Sequence, residues 1–140
     1  MRYPVQIEEV DGSYVATINH PNGLFQGATE GATFAEASDA ARVLLGAMIA
    51  EAMTAGDPVP SPSECEPGNA WIAISPMIAA KAGIHNEMLL SKKRKADIAR
   101  SMGVDQKQVD RILNPKHRST LEQLEGAAKA LGKHLELKIA

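Results

Sequence analysis

Residues 95–113, KADIARSMGVDQKQVDRIL, constrain this chain more than any other stretch. Ile98, Ala99 and Met102 form one apolar stripe, and Val109, Ile112 and Leu113 form a second at i, i+3, i+4. Between them stands Gly103, which enters φ > 0 at no steric cost and so marks a helix end and a turn. Val104 is the apolar plug of that turn. Asp105 is a good N-cap, since its carboxylate accepts from free backbone N–H groups. The pattern predicts two short helices joined tightly, with Gln106, Lys107, Gln108, Asp110 and Arg111 left outside. Amide and guanidinium groups read base edges. The stretch therefore reads as a helix-turn-helix with Gln106, Lys107 and Arg111 facing a major groove. Lys95, Gln108, Lys116 and Arg118 are candidate phosphate contacts, which fix register without reading sequence. The competing reading is an ordinary bundle pair with charged outer faces.

The charge distribution favours the first reading. Residues 1–75 hold two basic and ten acidic residues, a net of −8, whereas residues 76–140 hold thirteen basic and seven acidic, a net of +6. Such a split suggests two modules with different partners. The acidic one suits a basic protein and the basic one suits nucleic acid. Basic runs also flank the helix pair, Lys92-Lys93-Arg94-Lys95 before it and NPKHRS (residues 114–119) after it.

A chain of 140 residues supports one ordinary domain or two small ones. The most apolar stretches, residues 40–50 and 71–84, carry Arg42 and Lys81 and fall short of a membrane span. No basic segment followed by an apolar one opens the chain, so no signal peptide is expected. The single cysteine, Cys65, excludes an internal disulfide and fits a reducing, cytoplasmic setting.

Tyr3, Val5 and Ile7 alternate with polar neighbours, the period of a half-buried strand. Asp11-Gly12 is a hairpin signal, and Tyr14, Ala16 and Ile18 form the facing stripe of a second strand. Residues 25–29 are a third strand, after the turn Pro21-Asn22-Gly23. Thr33 and Glu36 have capping-box spacing. They open a helix whose stripe is Phe34, Ala37, Ala41, Leu44, Leu45 and Met48, ended by Gly56 and Pro58. Residues 57–69 contain four prolines and read as a linker or extended loop. AWIAI (residues 70–74) is a fourth strand returning to the sheet. Ser75-Pro76 starts a helix with Met77, Ile78, Ala82, Met88 and Leu89 as its apolar face, weakened by Gly83. Thr120 and Gln123 cap a last helix buried through Leu121, Leu124, Ala128 and Leu131. Leu135, Leu137 and Ile139 then alternate as a C-terminal strand, which needs a partner for its backbone and apolar face. A second copy of the chain would supply one.

Catalytic chemistry finds little support. His20, His85, His117 and His134 fall in four different elements without metal-ligand spacing, and Cys65 has no second cysteine. No Gly-rich phosphate loop is present. Ser61, Ser63 and Cys65 have no nearby histidine to activate them. Glu8, Glu9, Asp11 and Glu30 could group for metal-assisted hydrolysis, but carboxylates at strand ends and turns are more often simply solvated. Neither an enzyme nor a cofactor is expected.

Taken in order, the MRYPV strand, the QGAT…TFAEA passage, the Pro-rich segment ending in WIAIS and the C-terminal AAKALGKHLEL resemble a HicB-type antitoxin over nearly the full length. That resemblance implies an α+β chain in two domains. Residues 1–74 would be a small antiparallel sheet packed on a helix, a reduced RNase H-like fold that binds and blocks a small mRNA-cleaving HicA-type toxin. Residues 75–140 would be a helix-turn-helix domain with a C-terminal strand, which binds DNA, dimerises and represses the shared operon. Glu8, Glu9, Asp11 and Glu30 become the candidate toxin-binding residues. Arg94 and Lys95 stand where such modules commonly carry Thr-Gln, and Gly31-Ala32 resembles an insertion before the first helix. The alternative is a stand-alone helix-turn-helix regulator whose first domain senses a small ligand, which requires an apolar pocket there.

Overall fold

The alternating apolar residues of the first 19 positions build a hairpin in the computed structural model, which describes residues 1–23 and 25–140. β1 (Arg2–Val10) and β2 (Ser13–Asn19) pair antiparallel, with Val10 opposite Ser13. The two-residue turn holds Asp11 at φ 50° and Gly12 at φ 82°. Positive φ at both places is what a type I′ hairpin demands, and it explains the Asp-Gly pair. β3 (Gln26–Gly31) pairs with β2, and β4 (Asn69–Ala73) pairs with β1, giving the order β3-β2-β1-β4, all antiparallel. The fourth strand is the one expected at AWIAI. The third begins one residue later than expected and extends to Gly31, leaving Phe25 buried just outside it.

α1 (Phe34–Ala55) follows at once. Thr33 Oγ1 accepts from the Glu36 amide at 3.1 Å, but the Glu36 carboxylate reaches back to the Ala32 amide (2.8 Å) and not to Thr33 itself. Ala37, Ala41, Leu45 and Ile49 are fully buried. Phe34, expected in that stripe, is half exposed and instead meets the Tyr14 ring edge-on, 6.2 Å between centroids. Gly31 and Gly27 let β3 and α1 approach. A Cβ on Gly31 would lie 2.4 Å from the Ala37 amide nitrogen, and one on Gly27 would lie 2.9 Å from Met48 Cε.

The chain divides into two compact units, residues 1–52 with 60–76, and residues 53–59 with 77–140. The second is helical. α2 (Pro76–Ser91) runs unbroken through the exposed Gly83. α3 (Lys95–Met102), α4 (Gln106–Leu113) and α5 (Leu121–Ala130) pack Ile98, Ala99, Val109, Ile112, Leu113, Leu124, Ala127 and Ala128 into one core with Ile84 of α2. Two residues assigned to this interior lie outside it: Leu121 is 56% exposed and Leu89 40%. The Thr120–Gln123 capping box forms as expected, at 3.1 and 2.9 Å.

One expected element is not formed within the single chain. Residues 133–140 form no strand. Leu135 leans on the helical core, but Leu137 and Ile139 are 63% and 93% exposed. Among the described residues every strand lies in the four-stranded sheet of the other unit, so this segment has no ladder to join. Alternation alone does not make a strand; its N–H and C=O groups need partners. Among the described residues no helix is long and apolar enough to cross a membrane.

Candidate functional site

The α3–α4 pair is built as its sequence demands. Gly103 adopts φ 69°, ψ 32° and donates its amide to the carbonyls of Ala99 and Arg100. Asp105 Oδ1 accepts from the Gln108 amide at 2.8 Å, capping α4. Met102 of α3 packs on Gly126 of α5, where a Cβ would come within 3.0 Å of Met102 Cε. With Val109, Ile112 and Leu113 buried, a turn of 100° per residue leaves Lys107 and Arg111 directly opposite the core. Gln108 flanks them on one side, and Gln106 and Asp110 on the other. All five are exposed.

Lys95, expected on phosphate, is committed to Asp110: its Nζ lies 3.1 Å from Oδ1, joining the start of α3 to the middle of α4. Both side chains are about half exposed, so solvent screens the pair and its contribution to stability is small. Its consequence is electrostatic. One outward cation and one outward anion cancel, leaving Lys107 and Arg111 to dominate the face.

Residues 114–119, after α4, are held from several directions. Asn114 Oδ1 accepts from the Lys116 amide (2.9 Å), and Asn114 O accepts from the His117 amide (3.0 Å). Ser119 Oγ donates to Ile112 O at 2.9 Å. From α2, Lys81 Nζ donates to Asn114 O at 2.6 Å and to His117 O. Lys81 is fully buried and meets no carboxylate among the described residues. Burial pushes its pKa below the usual lysine value. Lys116 and Arg118 stay exposed on the outer side. In the sequence Lys81 stands only as a break in an apolar run, and nothing in its spacing marks the contact with residues 114–117.

In the sheet unit the four candidate carboxylates do not come together. Val15 pairs with Glu8 on one side and Glu30 on the other, so these two lie on the face away from α1, two strands apart. That separation is about 10 Å. Glu9 belongs to the opposite face by alternation, and Asp11 sits in the hairpin turn. Beside Glu8 the outer face carries an open, polar groove of about 660 Å³. Pro4, Gln6, Thr17, Asn19 and Asn69 form its floor, and Glu64 and Glu66 are on its wall. The wall is the Pro-rich stretch. The Tyr3 phenol fixes it by donating to Pro60 O (2.6 Å), and the His20 ring by a 2.7 Å contact with Ser61 O. Burial raises the Tyr3 pKa to about 12. In the other unit the Asn86 amide pairs both ways with the Val59 backbone, at 2.8 and 2.9 Å. Residues 57–69 are thus an anchored loop and not a free linker. No group of three or more His, Cys, Asp or Glu that could hold a metal ion occurs among the described residues.

No family model matches the chain. Curated relatives do. Over 139 residues it is 31% identical to "Antitoxin HicB" of Escherichia coli K12, covering 98% of each protein. It is 30% identical over 138 residues to "Antitoxin HicB 2" of Photorhabdus laumondii, 98% of this chain and 95% of that one. "Antitoxin HicB" of Pseudomonas fluorescens shares 37% identity over 71 residues, about half of each.

Proposed function

This chain belongs to the HicB family of antitoxins, and on that premise we propose that it neutralises a HicA-type mRNA-cleaving toxin with its sheet unit and represses its own operon with its helical unit. In this reading the sheet unit is a reduced RNase H-like domain and α3–α4 is a helix-turn-helix. The observation that carries the reading is the opposition of charge between the two units, −7 over residues 1–52 with 60–76 and +5 over residues 53–59 with 77–140. A toxin that handles RNA must be basic where it meets phosphate, and an acidic surface competes for that same region. Lys107 and Arg111, opposite the α4 core, suit a major groove, and Lys116 and Arg118 suit the flanking phosphates.

Two copies of the chain pair in this account through residues 134–140, where Leu137 and Ile139 await cover and the backbone awaits a ladder. A two-fold pair matches a palindromic operator. The groove of the sheet unit is polar and open, unlike the enclosed apolar pocket a small-ligand sensor would need. Co-expression with the product of the adjacent reading frame tests the reading. Co-purification of a small basic protein supports it, and failure of the two to associate removes the neutralisation half.

A further inference from the structure

Lys81 is the one fully buried cation among the described residues, and its ammonium holds the two ends of a single turn, the carbonyls of Asn114 and His117. A buried charge is costly unless its partners compensate, and an apolar side chain of similar length would fill the same space without that cost. The lysine therefore does something that packing does not require. Its position shows what. The turn follows the C-terminus of α4 and presents Lys116 and Arg118 to solvent. With the Asn114 and His117 carbonyls drawn inward, the outer side of the turn is left to cations. Asn114 Oδ1 on the Lys116 amide and Ser119 Oγ on Ile112 O close the remaining freedom. The ammonium also lies next to the negative end of the α4 dipole and beneath two carbonyl oxygens, whose field would otherwise repel an anion there.

We propose that residues 114–119 form a preorganised grip for the phosphate backbone of duplex DNA, and that Lys81 is its positioning residue, acting from below through the turn without touching the nucleic acid. The inference rests on the DNA-binding reading of the helical unit and adds to it a residue and a cause. Preorganisation matters because a flexible basic loop loses side-chain and backbone entropy on each phosphate contact, whereas this turn is ordered beforehand.

The test uses the full-length chain and a duplex carrying the promoter of its own reading frame, titrated across a salt series. Lys81→Met is expected to stay folded by circular dichroism while affinity falls about tenfold at physiological salt. The slope of log K against log salt should become shallower by about 1.8, the amount for two phosphates. Adding Lys116→Ala and Arg118→Ala to Lys81→Met should then cost little more. A folded Lys81→Met protein with an unchanged slope, or fully additive effects, overturns the proposal. Should Lys81→Met not fold, Ser119→Ala loosens the same turn without stranding a charge. A shallower slope for it supports the grip, and an unchanged slope overturns it. If the wild-type chain binds neither its promoter nor random duplex, the DNA reading itself falls and the grip with it, a result distinct from the failure of Lys81 alone.

Discussion

The phenol of Tyr3, on the first strand, donates a 2.6 Å hydrogen bond to the carbonyl oxygen of Pro60. This bond ties the Pro-rich loop to the sheet. Tyr3→Phe should lower unfolding free energy by about 1–3 kcal/mol, because it leaves a carbonyl without its donor. The pH dependence has a definite sign. Burial raises the Tyr3 pKa to about 12 from 10.0, so the folded chain holds its proton where the unfolded chain releases it. The contribution is fully present below pH 10 and is lost between pH 10 and 12. Its size is about 2–3 kcal/mol. Urea titrations over that range should show this loss in the wild type and not in Tyr3→Phe.

Lys92 ends α2 at φ 55°, a left-handed conformation that side chains other than glycine adopt at a cost. Lys92→Gly should raise stability by up to about 1 kcal/mol. If the cation serves DNA, the same change should weaken binding at low salt and lose that effect at high salt. Thermal melts and binding isotherms on one variant give both readings.

Gly31→Ala should be among the most damaging small substitutions in the sheet unit, at about 1–3 kcal/mol. Its new carbon would stand 2.4 Å from the Ala37 nitrogen, and backbone cannot swing aside as a side chain can. Gly12→Ala is a useful control, since its Cβ meets nothing within 4 Å and its cost is that of φ 82° alone. Denaturant unfolding of the two variants compares contact with conformation.

Arg111→Ala and Lys116→Ala should separate specificity from affinity. Loss of the outward guanidinium should cost about 1–3 kcal/mol on the operator and little on random duplex. Loss of Lys116 should weaken both equally and flatten the salt dependence. Competition titrations with the two DNAs decide. Equal effects of both changes would mean that α4 does not face the bases.

Deleting residues 134–140 should leave the helical unit folded, since only Leu135 of that segment leans on its core. It should convert a dimer to a monomer in light scattering. A wild-type chain that is already monomeric at high concentration would contradict pairing through this segment.

Periodicity made the helices and the hairpin legible, because Val109, Ile112 and Leu113, or Tyr3 and Val5, carry their burial in their spacing. Caps were legible for the same reason: Asp105 and Thr120 act on amides three residues away. What escaped depends on distant backbone. Lys81 looks like a break in an apolar run because its partners are carbonyls 33 and 36 positions on, and every residue has a carbonyl. The anchoring of the Pro-rich loop, read as a linker or extended loop, is not legible because Pro60 and Ser61 are held through carbonyl oxygens. The close approach of Gly31 to the first turn of α1 is hidden in the same way, since its neighbours there are the backbone of Glu36 and Ala37. Strict alternation could have separated Glu8 from Glu9. The pairing of Glu8 and Glu30 across Val15 needed the register of three strands.

RNA cleavage by the protein of the adjacent reading frame, measured while this chain is titrated in, is the most direct test of neutralisation. Cleavage should fall to background near a stoichiometric ratio, and charge reversal of Glu8 and Glu30 should push that point to higher ratios. Cleavage that persists at several-fold excess of the folded wild-type chain would contradict the account.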